Sequence, residues 1–250
     1  SALGIHKAGH LQVYAPITNE NIYTNLWKGP FYGFERAIET FELTNAPRRI
    51  KPVGIYYHTY SASKPAGLKA LHKVYGWALA QPLHPVFTSE FIAKVQDFHG
   101  LALAREGEGW RVRGSGALRT LRLPTVLGAA QPERSRGVAG WSEGPEGTYA
   151  HLTGGQAWLR TAPMQTPAAP ALHDANARIT HWDMQAQGGE FQLQGHGPLE
   201  FSLHLPSPCQ VRAHQRALAP QSSPTSARID IRHYHLNDVT ARIQIHCPAR

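Results

Sequence analysis

"PVGIYYHTYS", residues 52–61, is the stretch on which the reading of the fold turns. Val53, Ile55, Tyr56 and Tyr57 favour extended backbone, Pro52 opens the run, and Ser61, Ser63 and Pro65 close it. The sequence that follows, "KPAGLKALHKVYGWALAQP", places Leu68, Leu71, Val74, Tyr75, Ala78 and Leu79 on one helical face. This predicts a helix over 64–80, with Ser63 as N-cap and Pro65 in the first turn. His58 would then stand at the C-terminal end of a strand feeding a helix, the end at which βα architectures collect their chemistry.

Outward from this stretch, residues 1–100 read as alternating strand and helix. "HLQVYAPI" predicts a strand, "NENIYTNLWKGP" a loop, and "FYGFERAIETFELT" a helix carried by Phe34, Ala37, Ile38, Phe41 and Glu42. "HPVFTS" predicts a short strand, and "SEFIAKVQDFHG" a helix capped by Ser89 and ended by Gly100. Strands separated by helices predict a mostly parallel sheet. These units are too few to close a barrel, so this half is expected to belong to a larger α/β domain.

From Leu101 the period becomes two. "LALAREGEGWRVRGS" predicts a hairpin, and the alternation continues through "ARITHWDMQAQGGEFQLQGHGPLEFSLHLP" to "VTARIQIHC", broken by Gly, Pro and Asn turns. Residues 101–250 are therefore expected to form an antiparallel β-sandwich. Cys209 and Cys247 both fall in this half. They are compatible with a disulfide, the favoured reading, or with two inert thiols.

The formal charge of +8 is spread along the chain. Arg111, Arg113, Arg119 and Arg122 alternate with apolar residues, the pattern of solvated strand faces rather than of a nucleic-acid-binding stripe. No apolar run reaches the roughly 18 residues of a membrane-spanning helix. The opening "SALGIHKAGH" has neither Met nor an apolar leader, so further chain is expected before residue 1.

The common catalytic motifs are missing: no G-x-S-x-G, no P-loop and no H-E-x-x-H. His233 and His235 would share one face of a strand, but no third ligand is evident beside them. His58 is the stronger candidate, bracketed by Tyr57 and Tyr60. The loop before it combines Asn19, Asn21 and Asn25 with Tyr23, Trp27, Phe31 and Tyr32. Aromatic faces with amides are what sugars ask for, although a loop of this length also needs aromatics to pack itself.

At these residues the chain resembles the PelA family, bacterial proteins that process the Pel exopolysaccharide of biofilms. "NENIYTN" (19–25), "GPFYGF" (29–34) and "IYYHTYSASKPAGLKAL" (55–71) carry the resemblance, which covers most of residues 10–125. It implies the C-terminal βα units of a NodB-like (β/α) barrel followed by a β-sandwich, in a periplasmic polysaccharide deacetylase (a hydrolase and carbohydrate esterase). In such enzymes a divalent metal, zinc, polarises the acetamide and its water, an Asp acts as base, and a histidine protonates the leaving amine. The resemblance assigns that last role to His58; imidazole exchanges protons near neutral pH. Asn19, Asn21, Tyr23, Trp27, Tyr57 and Tyr60 become the substrate-binding candidates. No Asp occurs before Asp97, so the metal ligands are expected upstream of residue 1, with no metal bound by this chain and no activity from it alone.

The expected substrate is an N-acetylgalactosamine or N-acetylglucosamine polymer. Two non-catalytic alternatives stand beside it: a carbohydrate-binding module with Trp110, Trp141, Trp158 and Trp182 as its platform, and a module docking an export-complex protein.

Overall fold

A computed structural model describes residues 4–13, 34–46, 49–206, 209–221 and 231–248. The chain divides into two units, Ser1–Leu83 and His84–Arg250.

The first unit opens with an antiparallel hairpin, β1 (Ile5–Lys7) against β2 (His10–Gln12). Ala8 and Gly9 turn it with φ of 51° and 78°. The two helices are α1 (Ala37–Leu43) and α2 (Pro65–Leu79), where the apolar period places them. Phe34, Ala37 and Phe41 close on Ala70, Leu71 and Val74, and Phe41 stacks on Trp77 with centroids 5.4 Å apart. Pro65 occupies the first turn of α2, but the N-cap is Lys64, not Ser63. A residue before proline is pushed to extended backbone, and Lys64 has ψ of 134°.

Residues 52–58 are extended yet hydrogen-bonded into no sheet. Val53 and Ile55 pack on the helical core instead, while Tyr56 and Tyr57 remain exposed. Alternation records which residues want burial, and a helix pair satisfies Val53 and Ile55 as well as a sheet would. This overturns the expected barrel. Among the described residues strand makes up 42% and helix 21%, and none of the four sheets they form closes into a barrel. No parallel βαβ unit forms among the described residues of this half.

In the second unit "HPVFTS" likewise makes no strand; it leads straight into α3 (Thr88–Gly100). The N-cap of α3 is Phe87, whose N–H donates to the Glu90 carboxylate at 2.7 Å, and Ser89 lies inside the first turn. The strands follow: β3 (Ala102–Glu106), β4 (Gly109–Arg113), β5 (Thr120–Leu123), β6 (Ala129–Ala130), β7 (Val138–Gly144) and β8 (Gly147–Leu152). Next are β9 (Gln156–Ala162), β10 (Ala171–Ala175), β11 (Arg178–Gln185), β12 (Gly188–Gln194) and β13 (Leu199–His204). The last are β14 (Gln210–Ala213), β15 (Arg216–Ala217), β16 (Ile231–Leu236) and β17 (Thr240–His246).

They build a six-stranded sheet β16-β13-β10-β7-β8-β5, a five-stranded sheet β11-β12-β17-β14-β15 and a four-stranded sheet β3-β4-β9-β6. Leu199, Phe201, Leu203 and Tyr234 of the six-stranded sheet share one core with Phe191, Leu193, Ile243 and Ile245 of the five-stranded sheet. Trp141, Ala150 and Leu152 of the same six-stranded sheet share a second core with Val112 and Leu159 of the four-stranded one. The pairing β7–β10 is parallel, and a Cβ on Gly140 there would lie 2.0 Å from the Leu172 carbonyl oxygen. The cysteines are bonded, Cys209 to Cys247, and both are buried.

Helix α3 is tied to the turn after β4 by Lys94, whose ammonium donates to the Ala117 carbonyl at 3.3 Å, and above all by Asp97. The Asp97 carboxylate, 4% exposed, accepts N–H bonds from Ser115 (2.6 Å), Leu118 (2.9 Å) and Gly116 (3.1 Å). Burial alone would raise its pKa, but these donors hold it below the ordinary aspartate value. A Cβ on Gly114 would come 2.6 Å from Asp97 Oδ1, so only glycine leaves the carboxylate room. Asp97→Ala takes the shared acceptor from three partly buried N–H groups and is expected to cost roughly 2 kcal/mol in urea denaturation. A cost near zero would show that water replaces the carboxylate freely.

Candidate functional site

His58 ends the extended segment and precedes a 3₁₀ turn, Thr59–Ser63, that leads into α2. Its backbone is extended, with φ of −92° and ψ of 147°. The Tyr56 hydroxyl lies 3.1 Å from His58 Nε2, and the two rings meet edge to face at 5.2 Å. The imidazole is half-buried. A ring so held has one nitrogen oriented by a phenol and a partly open surface, an arrangement able to hold or pass a proton at a defined atom.

Tyr57 does not join His58. It meets Tyr75 of α2 instead, with ring centroids 6.2 Å apart and planes at 85°. Burial, with Tyr57 alongside, raises the Tyr75 pKa above the ordinary tyrosine value, so its phenol stays neutral. Of the other candidates, Tyr60 falls in the 3₁₀ turn, and its side chain lies outside what the structure describes. Asn19, Asn21, Tyr23 and Trp27, with Asn25, Phe31 and Tyr32, lie outside the described residues.

A second cluster, which sequence reasoning missed, crosses the six-stranded sheet. His151 of β8 lies 2.8 Å from the His173 carbonyl, and His173 Nδ1 of β10 lies 3.1 Å from His204 Nε2 of β13. That same Nε2 is 3.0 Å from the Trp141 carbonyl, and the His204 ring stacks on Trp141 at 4.8 Å. Beside them the Ser202 hydroxyl and His233 Nδ1 of β16 are 2.6 Å apart. His233 and His235 do share a face of β16, yet they face different partners on β13, Ser202 and Glu200. The sequence signal was a histidine in each of "AHL", "LHD" and "SLHL" and two in "RHYHL", which become a row only when the strand order is known.

His204 is 1% exposed, with Nδ1 buried and unpartnered. Burial first, and His173 beside it second, lower its pKa to about 4. A histidine kept neutral by the fold adds stability above its unfolded pKa near 6.5, and that contribution is lost as pH falls toward 4. Between pH 7.5 and 4.5 the second unit should therefore lose about 3 kcal/mol. Urea midpoints at the two pH values measure this, and His204→Phe should narrow the difference. Midpoints independent of pH would contradict the burial argument.

The described residues do not fit a metal. Among the described residues no three of His, Cys, Asp and Glu are grouped to hold one. His6 and His10 have the His-x-x-x-His spacing, but in the hairpin His6 pairs with Leu11 and His10 with Lys7. Adjacent cross-strand pairs point to opposite faces, so the two imidazoles cannot share an ion. Trp110, Trp141 and Trp182 make no common platform either, and Trp158 of β9 is half-buried with its indole N–H 3.3 Å from the Glu106 carbonyl. Trp141 is 1% exposed in one core, Trp110 packs against that core, and Trp182 packs against the other. No helix among the described residues is long and apolar enough to cross a membrane. No family model, curated protein or solved structure matches the chain.

Proposed function

We propose that this chain serves the N-deacetylation of an N-acetylhexosamine exopolysaccharide of the Pel type, in the periplasm of a biofilm-forming bacterium. The support is the resemblance in residues 19–71 together with one geometric observation: the Tyr56 hydroxyl 3.1 Å from His58 Nε2, on an imidazole still partly open to solvent. In this role His58 gives a proton to the nitrogen as the acetamide C–N bond breaks, water supplies the oxygen, and acetate leaves. Tyr56 orients the ring. The part assigned to this chain is confined to its own residues, since those described do not form a zinc site. The buried Cys209–Cys247 bond supports an oxidising compartment such as the periplasm.

Acetate release from N-acetylglucosamine and N-acetylgalactosamine oligomers by the intact protein tests the reading. Time-dependent acetate is the expected result. Binding of oligomers without acetate would reduce the chain to a carbohydrate-binding module, and neither binding nor acetate would end the carbohydrate reading altogether.

A further inference from the structure

We infer that the outer face of the four-stranded sheet, where Trp158 lies between Arg111 and Arg136, binds a uronate-bearing (carboxylated) polysaccharide. The face belongs to the second unit, and it is tested apart from the N-acetylhexosamine reading of His58. Val112 of β4 and both Ala157 and Leu159 of β9 point into the core, so the alternate residues Arg111, Arg113, Trp158 and Arg160 point outward. Arg111 is paired directly across from Trp158, and Trp158 directly across from Arg136 on its other side. Directly opposed residues share a face, so an indole stands in one row between two arginines. Arg113 follows Arg111 two residues along β4, about 6.8 Å away. A Cβ on Gly109 would come 2.7 Å from Trp158 Cε2 and Cζ2, so glycine lets the indole lean across β4. The indole N–H reaches the Glu106 carbonyl at 3.3 Å, and the half-buried ring keeps part of its surface open.

Charge decides what can occupy this face. Two arginines are answered internally: Arg111 binds Glu106 through two nitrogens, at 2.6 and 3.0 Å, and Arg160 meets Glu108 at 2.5 Å. Arg113 and Arg136 are exposed, and among the described residues neither is in an ion pair. The Glu106 carboxyl is held below the ordinary range by the Arg111 bonds first, then by the charges of Arg111, Arg113 and Arg136. All three arginines therefore act within reach of one carboxylate. Arginines in excess of carboxylates repel a polymer bearing free amines, and a neutral polymer has no use for them. A uronate pyranose carries both matching parts in one residue: an apolar C–H face for the indole and a carboxylate for the planar guanidinium fork. A single-stranded nucleic acid offers anions too, but it stacks successive bases on successive aromatic rings. Trp158 is the one aromatic at the outward positions of β4 and β9. The buried Cys209–Cys247 bond also favours a polymer met outside the cytoplasm.

Calorimetric titration of the 250-residue chain with galacturonate oligomers at low salt tests this. Binding that weakens as salt rises is expected, because exposed charges are screened. The double substitution Arg113→Gln with Arg136→Gln should weaken it about tenfold, a few-fold for each exposed charge pair. Trp158→Ala should weaken it by a similar factor, about tenfold, through loss of the stacked ring. The melting temperature of the arginine variant should match that of the unaltered chain, since both side chains are exposed. That variant therefore decides the matter even where Trp158→Ala fails to fold. No binding of galacturonate oligomers overturns the inference, and so does binding that the arginine variant leaves unchanged. N-acetylglucosamine oligomers bound as tightly would show that the arginines are not used. Oligothymidylate bound more tightly would make the face a nucleic-acid surface. Either of these results overturns the uronate assignment.

Discussion

Replacing His58 by alanine in the intact protein is expected to lower turnover by about 10²–10⁴-fold, the usual contribution of a positioned proton donor. The loss should fall on kcat more than on KM, because proton donation matters as the C–N bond breaks rather than while the polymer binds. Folding should survive, as His58 is only half-buried and the adjoining core is made by Val53, Ile55 and the two helices. Tyr56→Phe offers a finer reading. It removes the hydroxyl 3.1 Å from Nε2 while keeping the edge-to-face ring contact, so a smaller loss than His58→Ala is expected. Full activity in His58→Ala would leave the histidine as a packing residue and withdraw the proposed chemistry. A loss confined to KM would move it from proton donor to binding group.

Reduction of the Cys209–Cys247 bond should destabilise the second unit by about 4 kcal/mol, from the chain entropy released when a 38-residue separation is freed. For a chain of this size that corresponds to a fall in melting temperature of roughly 10 °C. Thermal scans with and without reductant, and of Cys209→Ser with Cys247→Ser, measure it. The oxidised chain should show no titratable thiol until it is unfolded and reduced. Identical melting under both conditions would mean that the reduced strands already hold their places, and a free thiol in the native chain would mean that the bond does not form.

What could be read from the sequence depended on how local the deciding interactions are. Helix α2 was legible because its burial pattern lies within fifteen residues, with Leu71 and Val74 in the core and Pro65 in the first turn. The hairpin β3–β4 was legible for the same reason, its turn closed by Gly107 with φ of 60°. Residues 53–57 were misread because their alternation says that Val53 and Ile55 are covered, not by what. The end of α3 was readable but its start was not. Its cap is a backbone N–H meeting Glu90, a use of Phe87 that no residue preference announces. The site divided along the same line. Tyr56 and His58 meet because they are two residues apart on extended backbone, whereas the partner of Tyr57 is eighteen residues on in a helix. The histidine row needed the order of β8, β10, β13 and β16, which is set by long-range pairing.

The place of β17 has a consequence for how the protein is made. Although it is the last described strand, it lies inside its sheet, between β12 and β14, with Ala241, Ile243 and Ile245 buried in the core. While the chain is still being synthesised, every residue up to Leu236 can be present and the sheet still be split. Phe191 and Leu193 of β12 and Val211 of β14 must then wait, with two open edges, for the strand that covers them. Completion is therefore late and all at once rather than progressive, and the incomplete chain is the species that needs protection from its own kind. Removing Thr240–His246 would not trim a border from the molecule but take out the middle of a sheet.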